Sequence, residues 1–221
     1  VRYQWLNEIA QSEGYDYISV AHHKDDQAES ILAHIIRGSG LNGLTGMAVV
    51  HSEYAIPVVR PLLDVTKENL LAYIGTKQIS YCVDSTNEDV RYQRNRIRHR
   101  IIPELEAINP AVVDAIVRLG SSVNEDVMVI SDLTARTFDK LVSIGKDEVS
   151  ISRRALRQEP LAIQRRLWQR LVSTIDPELM LTSAHQEQLL DIVNTGEKKT
   201  FTIKSIKVIA QCDTIKVYCK H

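Results

Sequence analysis

Paired cysteines are missing from this 221-residue sequence: Cys82, Cys212 and Cys219 have no CxxC spacing and leave one over if any two join. That argues against a disulfide framework and fits a reducing compartment, so the expected location is the cytoplasm. Long apolar runs are missing too. None approaches the roughly 18 residues needed to cross a bilayer, and the opening VRYQWLNEIAQSEG lacks the apolar core of a signal peptide. Neither a membrane partner nor export is expected. There is no excess of either charge, with 27 Lys and Arg against 28 Asp and Glu, so bulk electrostatics neither requires nor forbids a nucleic-acid partner. No internal repeat or low-complexity segment is visible, which removes support for a solenoid. An initiating Met is lacking as well: Val1 opens directly into a helical pattern, and the expectation is a fragment.

What is present is a chain of 44% apolar residues, enough to build a core for one large domain or two modest ones. Residues 3 to 10 read as an amphipathic helix closed by Gly14, and residues 17 to 21, YISVA, as a short strand. HHKDDQ then leads into Ala28, Ile31, Leu32, Ile35 and Ile36, a stripe that specifies a helix with one buried face. The polar motif therefore lies at a strand's carboxyl end and a helix's start, where open parallel sheets place their ligands. RGSGLNGLTGM follows, with four glycines between Arg37 and Met47, as a loop around a ligand. IPVVRPL is extended, and ENLLAYI is a helix capped by Asp64 or Thr66. YCVDSTN reads as a strand running into a polar turn, and RNRIRHRIIPEL as a helix with Ile97, Ile101 and Leu105 on one face. From Pro110 the composition changes to long helical stripes, so a domain boundary is expected near Asn109. The closing TFTIKSIKVIA and TIKVYC read as two or three strands of a small antiparallel sheet.

The chemistry concentrates in a few segments. In HHKDDQAE, residues 22 to 29, His22 and Asp26 stand one helical turn apart, as do Asp25 and Glu29. A carboxylate there can hold Mg²⁺ while the imidazole bonds a phosphate or water, although the same acids could merely complement a helix dipole. RGSG, residues 37 to 40, could offer backbone N–H groups to an anion, or could be only a turn. DSTN, residues 84 to 87, is an ordinary Asx or Ser/Thr turn or a source of polar ligands through Asn87. RYQRNRIRHR, residues 91 to 100, carries five Arg and one His with no acid, and must be answered by an anion or a carboxylate or remain a solvated face. Arg94 and Arg98 share one face, suited to phosphate. A second set, Arg153, Arg154, Arg157, Arg165, Arg166 and Arg170, is either an ordinary exposed helix face or, with the first, a track for an extended polyanion.

In order and spacing, AHHKDDQAE, IIRGSGLNGLTGM, RPLLDVTKENLLAYI, DSTNEDVRYQRNRIRHRIIPEL and NP resemble the catalytic domain of the tRNA(Ile)-lysidine synthases, over roughly residues 15 to 110. The later residues resemble that family's helical substrate-binding region only loosely. The resemblance implies a PP-loop ATP pyrophosphatase fold, α/β with a parallel sheet flanked by helices, over residues 1–109. A mainly helical tRNA-binding domain ending in short strands would occupy residues 110–221. It implies ATP and Mg²⁺ as cofactors, and L-lysine and a tRNA(Ile) with a CAU anticodon as partners. It leaves room for a homodimer. Cytidine 34 would be adenylated by ATP, and the lysine amine would then displace AMP to give lysidine. By position, His22, Asp26, Asn87 and Arg98 are the expected catalytic residues, with Asp26 also on the metal. His23, Asp25, Arg37, Gly38 and Gly40 would serve ATP. Arg94, Arg96, Arg100, Arg154 and Arg165 would serve tRNA. Asp26, Asp25 or Asp84 would face the ammonium group of lysine.

One departure is large: the family's SGGxDS phosphate loop is nowhere in these residues, and GSG at 38 to 40 stands in the wrong context to replace it. The 221 residues alone are therefore not expected to turn over ATP, and pyrophosphate release would contradict that. The rival readings are a tRNA cytidine thiolase of the same superfamily, for which a CxxC is wanting, and a metal-dependent phosphoesterase built on His22, His23, Asp25 and Asp26. A non-catalytic RNA-binding module resting on the two arginine sets is the third.

Overall fold

A computed structural model of the protein describes residues 2–82, 91–145, 148–195 and 198–219. The chain forms two compact units, Val1–Val127 and Met128–His221.

In the first unit, α1 (Arg2–Ser12) ends near Gly14, whose φ of +72° is open to glycine at no steric cost. It leads into β1 (Ile18–Ser19). Ala10, Ile18 and Val58 form a small core with Leu6, Val20 and Tyr54 against it. After β1 come α2 (Lys24–Ile36), α3 (Leu41–Leu44), β2 (Val50–His51) and β3 (Val58–Val59). The sheet order is β1-β3-β2, with β1 parallel to β3 and β2 antiparallel to it. Among the described strands of this unit only the β1–β3 pairing is parallel, so the sheet seen here is mixed. α4 (Lys67–Lys77) is capped by Thr66, whose Oγ1 accepts from the Asn69 amide at 3.2 Å; Asp64 is not the cap.

The burial of α2 departs from its apolar stripe. Asp26, Gln27 and Glu29 are buried beside Ala28 and Ile31, while Ile35 and Ile36 are exposed. Hydrophobic periodicity cannot foresee this, because the acids acquire partners from segments distant in sequence. The arginine segment is α5 (Gln93–Arg96), a π-helical turn over Ile97–Ile101, and α6 (Ile102–Ile108), with Ile97 and Ile102 turned inward.

α7 (Val112–Leu141) begins close to the expected boundary at Asn109, whereas compactness divides the chain within that helix. Its first half belongs to the first unit for a local reason. A Cβ at Gly120 would lie 2.7 Å from Ile31 Cδ1 and 3.1 Å from the Leu44 carbonyl oxygen, so the helix approaches closely there.

The second unit is a five-stranded antiparallel sheet ordered β4-β5-β8-β7-β6, made of β4 (Val142–Ile144), β5 (Glu148–Ser152), β6 (Lys199–Ile203), β7 (Ile206–Gln211) and β8 (Thr214–Cys219). Sequence reading expected only two or three strands; it missed β4 and β5, which follow a long helix and gain their pairing from β8. Alternate residues of β7 and β8, among them Ile206, Val208, Ile215 and Val217, are fully buried with Trp168, Leu171 and Leu189. Those come from α9 (Leu161–Ile175) and α10 (Ser183–Thr195). The short α8 (Arg153–Gln158) is tied down by Asp213 of the β7–β8 turn, whose Oδ1 accepts from the Arg154 amide at 2.7 Å. Among the described residues no helix is long and apolar enough to cross a membrane. All three cysteines are free and exposed.

Candidate functional site

The start of α2 and the arginine segment meet in the first unit. The segment between β1 and α2 places His22 and His23 just before that helix, with the His23 amide donating to Asp26 Oδ2 at 3.0 Å. The Asp26 carboxylate thus closes the first turn of its own helix. Its Oδ1 accepts from Arg94 Nη2 at 2.8 Å and from Arg98 Nη2 at 3.0 Å. One turn on, Glu29 accepts from Arg94 Nε at 2.8 Å. It also takes Arg98 in a bidentate fork, Nε to Oε1 at 2.6 Å and Nη2 to Oε2 at 2.9 Å. Only 1% of the Glu29 side chain is exposed, against 49% for Arg94, so the acids form the floor and the arginines the solvent side. Arg98 is held more firmly protonated than an ordinary arginine, first by its bonds to Glu29 and then by the charges of Glu29 and Asp26.

Asp25 points elsewhere. Its Oδ2 accepts the Lys67 amide at 2.8 Å, joining α2 to the start of α4, and the His23 ring lies 3.4 Å away. Its pKa falls from 3.8 to about 2, chiefly through His23, with burial opposing and the Lys67 amide assisting. His22 takes a bond from Arg60 Nε to its Nδ1 at 3.3 Å. An imidazole nitrogen that accepts carries no proton, so the neutral ring keeps its hydrogen on Nε2. Burial lowers the His22 pKa; Asp26 opposes this, and the charge of Arg60 pushes the same way as burial.

The structure therefore brings His22, His23, Asp25, Asp26, Arg94 and Arg98 into one neighbourhood. It does not bring in Arg37, Gly38 and Gly40. These follow the carboxyl end of α2, 13 residues or about 20 Å of helix from the motif. Gly38, at φ +73°, ends that helix, with its amide bonded to the Ile35 carbonyl at 2.9 Å. Arg37 and Gly38 thus sit where a helix presents carbonyls and partial negative charge, which disfavours a phosphate, whereas Gly40 is the N-cap of α3. Arg96 and Arg100 are exposed in the first unit, and Arg154 and Arg165 are exposed in the second. Asn87 and Asp84 lie outside the described residues.

A metal ion on Asp26 does not fit this arrangement. Both of its oxygens already accept hydrogen bonds, two of them from guanidinium groups that would repel a cation. Among the described residues, no three or more His, Cys, Asp or Glu side chains converge as a metal-binding set.

By spacing Glu29 was expected to pair with Asp25, but its partners are Arg94 and Arg98, and no role was expected of Gln27 or Arg60. Glu29 was legible as an acid one turn beyond Asp26, on the face that a basic segment would need. Arg60 was legible as a cation immediately after the strand run IPVV, at the strand end where a ligand crevice is expected. Nothing in the sequence singles out Gln27.

Comparison with known proteins adds identity to this geometry. Residues 1–105 match the family model of the PP-loop domain. The chain is 35% identical over 160 residues to the tRNA(Ile)-lysidine synthase of Porphyromonas gingivalis strain W83, covering 72% of this chain and 34% of that protein. It is 31% identical over 198 residues to the enzyme of that name from Bacillus subtilis strain 168, covering 88% and 42%. For that of Geobacter sulfurreducens the identity is 30% over 191 residues, covering 86% and 40%. The chain thus spans less than half the length of these curated relatives.

Proposed function

Since the chain belongs to the PP-loop family through residues 1–105 and is a relative of the tRNA(Ile)-lysidine synthases, we propose that it supplies part of the machinery for ATP-dependent ligation of lysine to cytidine 34 of a CAU-anticodon tRNA(Ile). In this reading ATP adenylates the cytidine with release of pyrophosphate, and the lysine amine then displaces AMP. The full parallel sheet of a PP-loop domain, the division into catalytic and tRNA-binding regions near residue 109, and use of L-lysine belong to the same proposal.

One observation within the molecule carries it: Arg98 and Arg94 are joined to Asp26 and Glu29, so the two most distinctive motifs form one charged surface. Adenylation and its reversal move charge between phosphate oxygens and a base, and pre-placed donors stabilise that charge more than mobile water does. The carboxylates fix Nε and Nη2 of both guanidiniums, a rigid posture from which an arginine can meet a phosphate. His22, neutral and protonated on Nε2, serves as a hydrogen-bond donor rather than as a base. Mg²⁺ would enter on the phosphates of ATP, since Asp26 does not offer it a site. Arg96, Arg100, Arg154 and Arg165 are exposed cations for the tRNA backbone in this reading.

The test uses the whole natural polypeptide that carries these residues, with ATP, labelled lysine and a tRNA(Ile) transcript bearing CAU. The expected result is label in the tRNA together with AMP release that depends on lysine. Sulfur incorporation in place of lysine would turn the assignment to the thiolase of the same superfamily, and tRNA binding with neither product would turn it to a binding module.

A further inference from the structure

Two polar side chains of the first unit, Gln27 and Arg60, are each only 8% exposed, and both hold the same short stretch of chain. Gln27 Nε2 donates to the Met47 carbonyl at 2.9 Å while its Oε1 accepts the Met47 amide at 2.7 Å. Arg60 Nη1 donates to the Ala48 carbonyl at 2.8 Å, and its own amide donates to the Val49 carbonyl at 2.8 Å. Gly46 makes the first clamp feasible. Its φ is +72°, and a Cβ there would lie 2.7 Å from the Gln27 carboxamide carbon. A buried amide and guanidinium are tolerated because they are hydrogen-bonded, and here those bonds fix one stretch of backbone.

The steadied segment is one wall of a cleft of about 400 Å³, faced by Leu63, Asp64 and the Val117, Ser121 and Glu125 face of α7. Among the described residues no Lys, Arg or His lines it, so a phosphate finds no cation there to neutralise it. A free amino acid would leave its own carboxylate unanswered. Walls that mix apolar side chains with Gln27, Thr45, Ser121 and two carboxylates instead suit a flat, uncharged ring that presents amino hydrogens, as cytosine presents its amine to a carboxylate. Arg60 also donates to His22, so one side chain holds both the cleft wall and the imidazole.

We propose that Gln27 and Arg60 are positioning residues that hold segment 46–49 as the wall of a subsite for an unpaired, amine-bearing base of the polynucleotide substrate. The proposal rests on the functional reading above and extends it to a place and a chemistry for the base. The first test is kinetic, on the whole natural protein. Gln27→Met keeps the volume and removes both bonds; KM for tRNA should rise about tenfold, with KM for ATP and kcat changed less than about threefold, the pattern of lost substrate binding rather than lost chemistry. Gln27→Glu restores donor and acceptor only while its carboxyl is protonated, so its activity relative to the natural protein should climb as pH falls. A folded Gln27→Met with unchanged KM for tRNA, or a pH-independent Gln27→Glu ratio, would overturn the proposal.

The second test needs no turnover. With methyl-labelled methionine, cytidine and adenosine should shift the Met47 signal and spare Met128 and Met180, while uridine shifts it less and lysine not at all. Equal response to uridine, a response to lysine, or no response to any nucleoside rejects the subsite. A protein that binds cytidine here yet never incorporates lysine tells against the ligase reading and leaves the subsite standing.

Discussion

Arg98 holds Glu29 through two near-parallel hydrogen bonds of 2.6 and 2.9 Å, across 69 residues of chain, with the acid almost wholly out of water. This contact joins α2 to the arginine segment, and its loss should be felt first as instability. Glu29→Ala leaves two guanidiniums facing an apolar gap. The cost should fall toward the low end of the roughly 3–5 kcal/mol typical of breaking a buried pair, because Arg94 stays half exposed. Urea unfolding measures it, and a change under about 1 kcal/mol would mean that Asp26 alone holds the arginines.

Acid should loosen the tie between α2 and α4. The Asp25 pKa is depressed from 3.8 to about 2 in the fold, so its contribution is complete above about pH 4 and is lost as pH falls through about 2. Asp25→Asn should flatten the stability profile across that interval, as read from thermal midpoints at successive pH values.

His22 titrates in the opposite sense to a salt-bridged histidine. Its folded pKa lies below 6.5, so the unfolded chain binds the extra proton first, and stability is whole above pH 6.5 and declines below it. Arg60→Met removes a repelling charge and should raise the His22 pKa toward its ordinary value, visible in the titration of its ring proton by NMR.

Gly120→Ala would ordinarily favour a helix by about 1 kcal/mol. Here the new methyl meets Ile31 and the Leu44 carbonyl, so destabilisation of roughly 1–3 kcal/mol is expected in chemical denaturation.

Arg96 and Arg100 are exposed in the arginine segment, unlike the half-buried Arg98. If they meet phosphate, each change to Ala should weaken tRNA binding and lower the slope of log K against log salt by about 1, measured by filter binding over a salt series.

Much of the element order was legible because it follows from local pattern. The YISVA strand, the helix after HHKDDQ, the helix with Thr66 in reach as a cap, and the last three strands are all written in periodicity and turn chemistry. Two strands were not. β4 and β5 follow α7 and pair with each other and with β8, a partnership no short window contains. In the site, the meeting of His22, Asp26 and Arg98 could be anticipated from motif order, whereas Asn87 lies outside the described residues. Glycines suited to anion binding are equally suited to ending a helix, as Gly38 does, so the residue types of RGSG do not tell the two roles apart.

By itself the sequence determined the identity and order of the charged motifs, their places at strand and helix ends, and the likeness to a family, since these depend on residue type and spacing alone. Tertiary structure decided which charges answer one another. The arginines turned to Asp26 and Glu29, Asp25 to the start of α4, and Gln27 to the backbone of Met47. Such pairings depend on distances between segments far apart in the chain, and burial makes the partner obligatory only once the fold has brought them together.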